Sequence, residues 1–290
     1  MARLNRIIGA LEQGQKAFAT FAPADMESAL WVNTAPYDGV VYEMEHRPWD
    51  AARLRDTLQY MLDRKQILAA GSPAPAVTPI VRIPANGGEM NQWLAKQALD
   101  MGVFGVVWPH VSNAAQAYNA VSACRYPRLR SAPRHEPAGL RGDSPKTAAA
   151  FWGIGTGEYY KKADVWPLDP AGELLTVLMI EDTEGVANLE EILGKVPGVG
   201  AVLIGEGDLS QELGHPREYE HPDVVKAMDE IVKICKAHKV PVGHPHVDSK
   251  NVQHVLEWGF DLLLAAPSRS FKALETGREL AGRARCEVGS

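Results

Sequence analysis

Polar side chains that can do chemistry stand at the ends of hydrophobic segments spread along the 290-residue chain. They are His46 in YEMEHRPWD, Arg82 in TPIVRIPANG, Glu181 in TVLMIEDTEG, Asp208 in AVLIGEGDLS, and His244 with His246 in VPVGHPHVD. Glu181 and Asp208 carry carboxylate oxygens, hard ligands that favour Mg²⁺ or Mn²⁺ and are compatible with Co²⁺ or Zn²⁺. An ion held by two carboxylates keeps open positions for substrate oxygens. The pair therefore predicts Lewis-acid chemistry.

Such an ion would polarise a 2-keto group and stabilise the enolate that forms as a bond to the adjacent carbon breaks. Arg82 would place a fixed guanidinium beside that negative charge, and His46 would move protons. Each residue type also has a structural interpretation. A carboxylate after a strand can be a helix N-cap, an arginine can be a salt-bridge partner, and a histidine beside proline can be a turn residue. Composition and spacing alone leave these alternatives open.

Side chains placed in this way need parallel strands whose carboxyl ends meet. Short β-rich runs alternate with longer amphipathic segments along the chain, as in parallel strands joined by crossover helices. Eight strands are predicted, at Ala17–Phe21, Gly39–Glu43, Thr78–Arg82, Gly105–Trp108, Thr176–Glu181, Ala201–Gly205, Val240–Gly243 and Leu262–Ala266. They predict an α/β fold, a (β/α)₈ TIM barrel forming a single domain over residues 1–290, with its catalytic groups at the carboxyl ends of the strands.

Helices are predicted between these strands, several of them opened by Asn, Ser or Pro. The predicted helical segments are Pro48–Arg64, Glu89–Met101, Ala114–Cys124, Leu189–Leu193, Pro222–Lys239, Ser249–Trp258 and a C-terminal amphipathic helix at Ser268–Ala284. The C-terminal helix can close its own barrel or dock on another subunit.

The stretch from about Arg125 to Pro170 breaks the alternation, because it is too long for a simple crossover between the fourth and fifth strands. It is predicted to be an insertion. Its aromatic residues either line a pocket or pack the insertion onto the barrel or a neighbouring subunit; they are Trp152, Tyr159, Tyr160 and Trp166. His244 and His246, with Pro245 between them, suit either a tight turn or contact with substrate.

The composition excludes several classes of protein. With 46% hydrophobic and 23% charged residues, the chain can bury a sizeable core. A net charge of −6 argues against nucleic-acid and anionic-membrane partners. The cysteines Cys124, Cys235 and Cys286 are scattered, which predicts a reduced, cytoplasmic compartment rather than a disulfide framework or thiolate site. Neither a signal peptide nor a membrane-spanning run is expected.

The segments around these candidate residues resemble the HpcH/HpaI aldolase and citrate lyase superfamily, in particular its class II pyruvate aldolases. The resemblance covers most of the chain. Its landmarks, in order, are EMEHRPWD, VRIPAN, ALDMG, WPHVSNAAQA, CRYP, AGLRG, MIEDTEGVANLEEIL, GVGAVLIGEGDLSQELGHP and HPDVVKA.

This resemblance implies a role for each matched position. The family's metal pair falls on Glu181 and Asp208, and its enolate-stabilising arginine falls on Arg82. Substrate contacts fall on Arg82, Gly207 and Asp208. A divalent metal ion is the implied cofactor, and a 2-oxo acid and an aldehyde are the implied small-molecule partners. A homo-oligomer, in this family often a hexamer, is implied as well.

The resemblance also implies a catalytic His–Asp pair, which falls on His46 and Asp100. An aspartate can orient an imidazole and stabilise its protonated form. In the implied reaction a 4-hydroxy-2-oxo acid loses its hydroxyl proton, its C3–C4 bond breaks, and the enolate is protonated to pyruvate. The reverse reaction is an aldol addition.

Several positions depart from the family pattern. Met179 stands where many members have Gln, Glu43-Met44-Glu45 replaces the usual DGE before the histidine, and the Arg125–Pro170 region is longer. These departures leave open a decarboxylase or carbon–carbon-bond-forming synthase of the macrophomate synthase kind, which uses the same metal enolate. A lyase that acts on an acyl-CoA is disfavoured, because the loops of this sequence show no convincing basic site for the nucleotide phosphate. A non-catalytic barrel is the remaining alternative.

Overall fold

The fold is described from a computed structural model, which covers residues 3–35, 37–84, 90–266 and 270–283. Strands and helices alternate along these residues. The strands are β1 (Ala17–Pro23), β2 (Gly39–Glu43), β3 (Thr78–Arg82), β4 (Gly105–Trp108), β5 (Val165–Trp166), β6 (Leu174–Ile180), β7 (Ala201–Ile204), β8 (Val242–Val247) and β9 (Leu262–Ala265). The helices are α1 (Arg6–Glu12), α2 (Met26–Val32), α3 (Ala51–Tyr60), α4 (Arg64–Ala70), α5 (Gln92–Met101), α6 (Ala114–Cys124), α7 (Lys146–Trp152), α8 (Thr156–Lys162), α9 (Thr183–Lys195), α10 (Glu206–Glu212), α11 (Pro222–Ala237), α12 (Val252–Trp258) and α13 (Lys272–Leu280).

Eight of these strands form a closed parallel barrel. The order around it is β1, β2, β3, β4, β6, β7, β8 and β9, with β9 hydrogen-bonded back to β1. Thr20 of β1 lies opposite Val40 on one side and Ala265 on the other. The predicted (β/α)₈ barrel is therefore confirmed. The short β5, which pairs with β6 at its amino-terminal end, was not predicted.

The barrel strands are apolar because helices cover the barrel outside and side chains fill it inside. Every residue of β6, LLTVLMI, is buried. Several predicted helices have different bounds in the structure. The predicted Pro48–Arg64 helix is divided, because the side chain of Asp63 caps a second helix, α4. The predicted Leu189–Leu193 helix is part of the longer α9, capped by Asp182. The helix predicted from Glu89 begins at Gln92, and Glu89 lies outside the described residues.

The 125–170 insertion packs against the amino-terminal end of the barrel. Its Trp152 donates from Nε1 to the carbonyl of Gly102, just before β4, at 2.8 Å. The Trp152 ring stacks on Phe104 with centroids 4.3 Å apart, and Tyr159 meets Trp152 edge-on at 4.8 Å. Trp152 and Tyr159 are fully buried. The packing interpretation is therefore correct for Trp152 and Tyr159, and no residue of the insertion lines the cavity at the carboxyl ends of the strands.

The C-terminal helix α13 closes its own barrel. Leu274 is fully buried, and Gly277 lies so close to Phe18 of β1 that an added Cβ would stand 2.6 Å from its ring. Phe271, just before the helix, stacks on Trp31 at 5.2 Å. The predicted ends of this helix at Ser268 and Ala284 lie outside the described residues, as does Cys286. Among the residues described, the structure has no helix long and apolar enough to span a membrane.

Candidate active site at the carboxyl ends of the strands

A cavity of about 460 Å³ opens at the carboxyl ends of the barrel strands. It gathers most of the residues singled out from the sequence, with the additional residues Glu43, Met179, Glu206 and Tyr219. The predicted site residues that line it are His46, Arg82, Glu181, Gly207, Asp208 and His246. Residues from five strand ends, those of β2, β3, β6, β7 and β8, thus face one space, as expected for this fold.

Glu181 follows β6 directly and is not a helix cap. The N-cap of α9 is Asp182, whose side chain accepts the backbone N–H of Gly185 at 2.5 Å. Glu181 is free of that task and is 2% exposed. Its Oε1 accepts the backbone N–H of His110 at 2.6 Å. His110 has a φ of +51°, a strained value for a side chain other than glycine, and this hydrogen bond helps to hold it.

The other carboxylate oxygen of Glu181 lies against the backbone at the end of β7. A Cβ added to Gly205 would stand 2.2 Å from Glu181 Oε2, so only glycine leaves room for this carboxylate. Burial is the main cause that raises the pKa of Glu181 to about 7. The His110 imidazole and backbone N–H act in the opposite direction, and the charges of Glu45 and Asp208 raise the pKa further.

Asp208 lies in the first turn of α10 and is exposed toward the cavity. The N-cap of this helix is Gly205, so Asp208 is not a cap either. In the described part of the chain, ligand atoms of Glu45, His110 and Glu181 lie within 4.8 Å of one another, and Asp208 does not belong to this group. Two carboxylates and an imidazole are therefore crowded together, and the pKa of the buried Glu181 is raised. Such a set of donor atoms suits a divalent cation. The residues present are thus suited to the implied metal ion.

Arg82 ends β3 and is held by carboxylates on the neighbouring strand end. Its Nε donates to Glu43 Oε2 at 2.7 Å, and its NH1 pairs with Glu45 Oε2 at 3.0 Å. NH1 also lies 3.7 Å from the sulfur of Met179, which occupies the position where Gln was expected. The guanidinium stands 5.1 Å from the Phe21 ring centroid. Arg82 is therefore both a salt-bridge partner and a fixed cation on the cavity wall.

His46 lies in the turn after β2. The carboxylate of Glu43 organises this turn, because its Oε1 accepts the backbone N–H groups of Glu45 at 2.8 Å and His46 at 3.1 Å. The imidazole is 68% exposed, and its Nε2 is 3.5 Å from Glu45 Oε2. Burial is the main cause that raises the pKa of Glu45. The two interpretations of His46 are compatible, since a turn residue here also reaches the cavity.

Asp100 is not paired with His46 within the chain, contrary to the sequence-based expectation. It lies near the end of α5, close to the amino-terminal end of the barrel, whereas His46 is at the carboxyl end. Its Oδ1 accepts from Arg141 NH2 at 3.1 Å, and its Oδ2 binds Lys96 Nζ at 2.6 Å. The pairing is implied by the family resemblance alone, since the strand and helix pattern gives no indication of which barrel end a helix end approaches.

Four further polar residues of the site were missed or left ambiguous: Glu45, His110, Glu206 and His246. His110 stands two residues past the end of β4, so the rule that selected His46 would have selected it. Glu206 directly follows Gly205 after β7 and is 2% exposed. It binds two imidazoles, His246 Nδ1 to its Oε1 at 2.5 Å and His244 Nε2 to its Oε2 at 3.4 Å.

His244 and His246 lie within β8 and do not form the tight turn that was one alternative. His244 is buried, with its ring edge-on to Phe260 at 5.0 Å. Burial is the main cause that lowers the pKa of His244, and the charge of Glu206 opposes it. His246 is 51% exposed and lines the cavity.

Comparisons with known proteins identify the family of this chain. The family model for HpcH/HpaI aldolase/citrate lyase matches residues 18–266. A 2-dehydro-3,6-dideoxy-6-sulfogluconate aldolase of Pseudomonas putida is 34% identical over 82% of this chain and 80% of its own length. A hydroxypyruvate/pyruvate aldolase of Roseobacter denitrificans is 28% identical over 97% of this chain and 98% of its own.

A solved structure shows the same fold. It is a HpcH/HpaI aldolase/citrate lyase family protein from Burkholderia cenocepacia J2315, with a TM-score of 0.72 and 27% identity over 92% of this chain and 94% of that one. The barrel, the cavity at its carboxyl end and the family match over residues 18–266 lead to one conclusion. The chain belongs to the HpcH/HpaI aldolase/citrate lyase family and is a carbon–carbon lyase.

Proposed function

We propose that this protein is a metal-dependent class II aldolase that cleaves, or forms, the C3–C4 bond of 4-hydroxy-2-oxo acids. The observation that supports the proposal is that Glu181, Asp208, Arg82 and His46 line one cavity. Two carboxylates, a fixed cation and an imidazole are the set of groups that enolate chemistry on a 2-oxo acid requires.

In this proposal Glu181 and Asp208 hold a divalent ion, Mg²⁺ or Mn²⁺ by the hardness of the donors. When bound, such an ion supplies Lewis-acid polarisation of the 2-oxo group. Glu45 and His110, whose ligand atoms lie within 4.8 Å of those of Glu181, would be further candidate ligands. Gly205 keeps the space that the Glu181 carboxylate needs.

Arg82 stabilises negative charge as it develops on the substrate oxygen. Its guanidinium is already fixed by Glu43 and Glu45, so little reorganisation is needed at the moment of reaction. Removing one such preorganised donor from an active site costs about 10²–10³ in rate. His46, exposed beside Glu45, exchanges protons with the substrate. Gly207 places no side chain at the cavity wall and leaves room for the carboxyl end of the 2-oxo acid.

The names of the relatives support a 2-oxo acid as substrate, because they include a hydroxypyruvate/pyruvate aldolase and an aldolase of a 2-dehydro sugar acid. We propose pyruvate, or a close analogue, as the common product. The other residues of the cavity wall determine which aldehyde is released.

The experiment that tests the proposal starts from metal-stripped protein. Mg²⁺ or Mn²⁺ is added back, and pyruvate and aldehyde release are followed for a panel of 4-hydroxy-2-oxo acids. We expect metal-dependent release of both products, lost in Glu181→Ala and in Asp208→Ala. Release of pyruvate from oxaloacetate, without aldehyde release from any panel member, would instead support the decarboxylase or synthase alternative. Absence of metal binding would contradict the proposal altogether.

A further inference from the structure

We propose that His246 is a second catalytic imidazole, which removes the C4 hydroxyl proton of the substrate, and that Glu206 is its positioning residue. The inference deepens the proposed function and rests on it. It assigns the aldehyde side of the substrate to the β8 side of the cavity and leaves His46 to act at the enolate carbon.

Glu206 is a buried carboxylate held between two histidines. This carboxylate is buried, yet among the described residues no arginine or lysine forms an ion pair with it. Its two oxygens face two imidazoles, Oε1 toward His246 Nδ1 at 2.5 Å and Oε2 toward His244 Nε2 at 3.4 Å. A buried carboxylate needs donors, so both facing nitrogens carry hydrogen.

The hydrogen bonds of His244 and His246 fix which nitrogen of each ring carries the hydrogen. The backbone N–H of His246 donates to His244 Nδ1 at 3.3 Å, so the neutral His244 ring has its hydrogen on Nε2, toward Glu206. Because Nδ1 of His246 also points at Glu206, Nε2 is the nitrogen of this ring that remains available as an acceptor. An imidazole whose Nδ1–H binds a carboxylate and whose Nε2 is free is arranged as a general base.

The position of His246 in the cavity supports the same role. His246 and Glu206 line the same cavity as Arg82, Glu181 and Asp208. The register of β8 against β9 is irregular between His244 and Val247, and such bulges re-aim side chains. His244 is buried, whereas the His246 ring is 51% exposed, flanked by the Tyr219 ring at 5.9 Å.

The two imidazoles that are given proton-transfer roles, His46 and His246, stand on different sides of the cavity. His46 follows β2 and His246 lies on β8, with β1 and β9 between them in the barrel. A cleft of about 1070 Å³ adjoins the cavity on the His246 side and shares Glu206, Tyr219 and His246 with it. This cleft has room for the part of the substrate beyond C4.

The chemical step balances as follows. Nε2 of His246 takes the proton of the C4 hydroxyl, and the oxygen lone pair forms the aldehyde C=O as the C3–C4 bond breaks. The bond electrons move to C3 and form the enolate of pyruvate. The imidazolium that results lies against the Glu206 carboxylate, which stabilises its charge. Protonation of C3, from the His46 side, completes pyruvate, and the His246 proton leaves to solvent.

The test compares two reactions that share the enolate but differ in this proton. Cleavage of 4-hydroxy-2-oxopentanoate needs the hydroxyl proton removed, whereas decarboxylation of oxaloacetate does not. His246→Gln and Glu206→Gln are compared with His238→Gln, a matched control, because His238 forms a similar pair with Glu190 at 2.9 Å on the surface outside the cavity. Mn²⁺ binding is measured by calorimetry for each variant.

We expect His246→Gln to lower kcat for cleavage by about 100-fold, within the usual range for a lost general base. Decarboxylation and Mn²⁺ affinity should change less than about threefold, and this unchanged decarboxylation also shows that the variant is folded. Glu206→Gln should lower kcat for cleavage by about tenfold with KM nearly unchanged, as expected of a residue that acts through another. His238→Gln should match the wild type in both reactions.

Two outcomes would overturn the inference alone. Cleavage at the wild-type rate in His246→Gln would show that the hydroxyl proton leaves by another route. Equal losses of cleavage and decarboxylation would show that His246 merely supports the structure of the site. A wild-type protein that binds Mn²⁺ but cleaves no 4-hydroxy-2-oxo acid would overturn the proposed function, and the inference with it.

Discussion

The two ends of the barrel both bury charged side chains but neutralise them in different ways. At the amino-terminal end, beside the 125–170 insertion, Arg125 donates to Asp164 from Nε at 2.7 Å and from NH2 at 3.1 Å, and NH1 and NH2 also bind backbone carbonyls. Arg141, fully buried, pairs with Asp100 at 3.1 Å and stands 4.5 Å from the Tyr126 ring centroid. Each buried carboxylate there faces a cation.

At the carboxyl end the described carboxylates are paired less completely with cations. Glu43 and Glu45 share Arg82, Glu181 faces the N–H and imidazole of His110, and Glu206 faces imidazoles. Burial raises the pKa of Glu181 and of Glu45. A protein retains such a costly arrangement at a functional site, where a bound cation or substrate supplies the missing charge. Buried carboxylates without a full cation partner therefore indicate the functional site, whereas buried carboxylates paired with cations belong to the scaffold.

The largest expected effect concerns the uncompensated end. Glu181→Gln keeps the size of the side chain but removes the charge, and we expect kcat/KM for metal-dependent pyruvate release to fall at least about 10³-fold, or roughly 4 kcal/mol. The Tm of the metal-free protein should stay the same or rise, because a poorly compensated buried charge is gone. Steady-state kinetics and thermal unfolding by circular dichroism measure the two quantities. A fall in Tm of the metal-free variant would contradict the conclusion that the Glu181 charge is poorly compensated.

The next effect concerns the compensated end. Asp100→Asn leaves Arg141 buried without its anion, and breaking a buried pair costs about 3 kcal/mol of the free energy of unfolding. Urea unfolding measures this loss. At a temperature where the variant is folded, kcat should stay within about threefold of wild type. A 100-fold lower kcat with unchanged stability would instead support the catalytic pairing of Asp100 with His46.

The smallest expected effect is on the pH dependence of metal affinity. In the metal-free protein the pKa of Glu181 is raised to about 7, and a metal ion must displace that proton. Affinity for Mg²⁺ or Mn²⁺ should therefore be constant well above pH 7 and should fall as the pH drops below it, by up to about tenfold per unit for one proton. Calorimetry in buffers of different ionisation enthalpy measures the proton released. No release near pH 7 would contradict this assignment.

Much of the fold and part of the site could be predicted from the sequence. Short β-rich runs located all eight barrel strands, and polar residues at strand ends pointed to His46, Arg82, Glu181 and Asp208, which line one cavity because strand ends of a parallel barrel converge. The resemblance to the family added Gly207 and Asp100. The bounds of α3, α4 and α9 were missed, since caps such as Asp63 and Asp182 decide them locally.

By itself the sequence determined the parallel barrel, the residues that end its strands and the family to which the chain belongs. Only the tertiary structure decided that Asp182, not Glu181, caps α9, that the insertion packs beneath the barrel, and that Asp100 lies at the end opposite His46. It also revealed Glu206 between two imidazoles. The physical reason is that burial and hydrogen-bond partners depend on elements distant in the chain, whereas periodicity is a local property of the sequence.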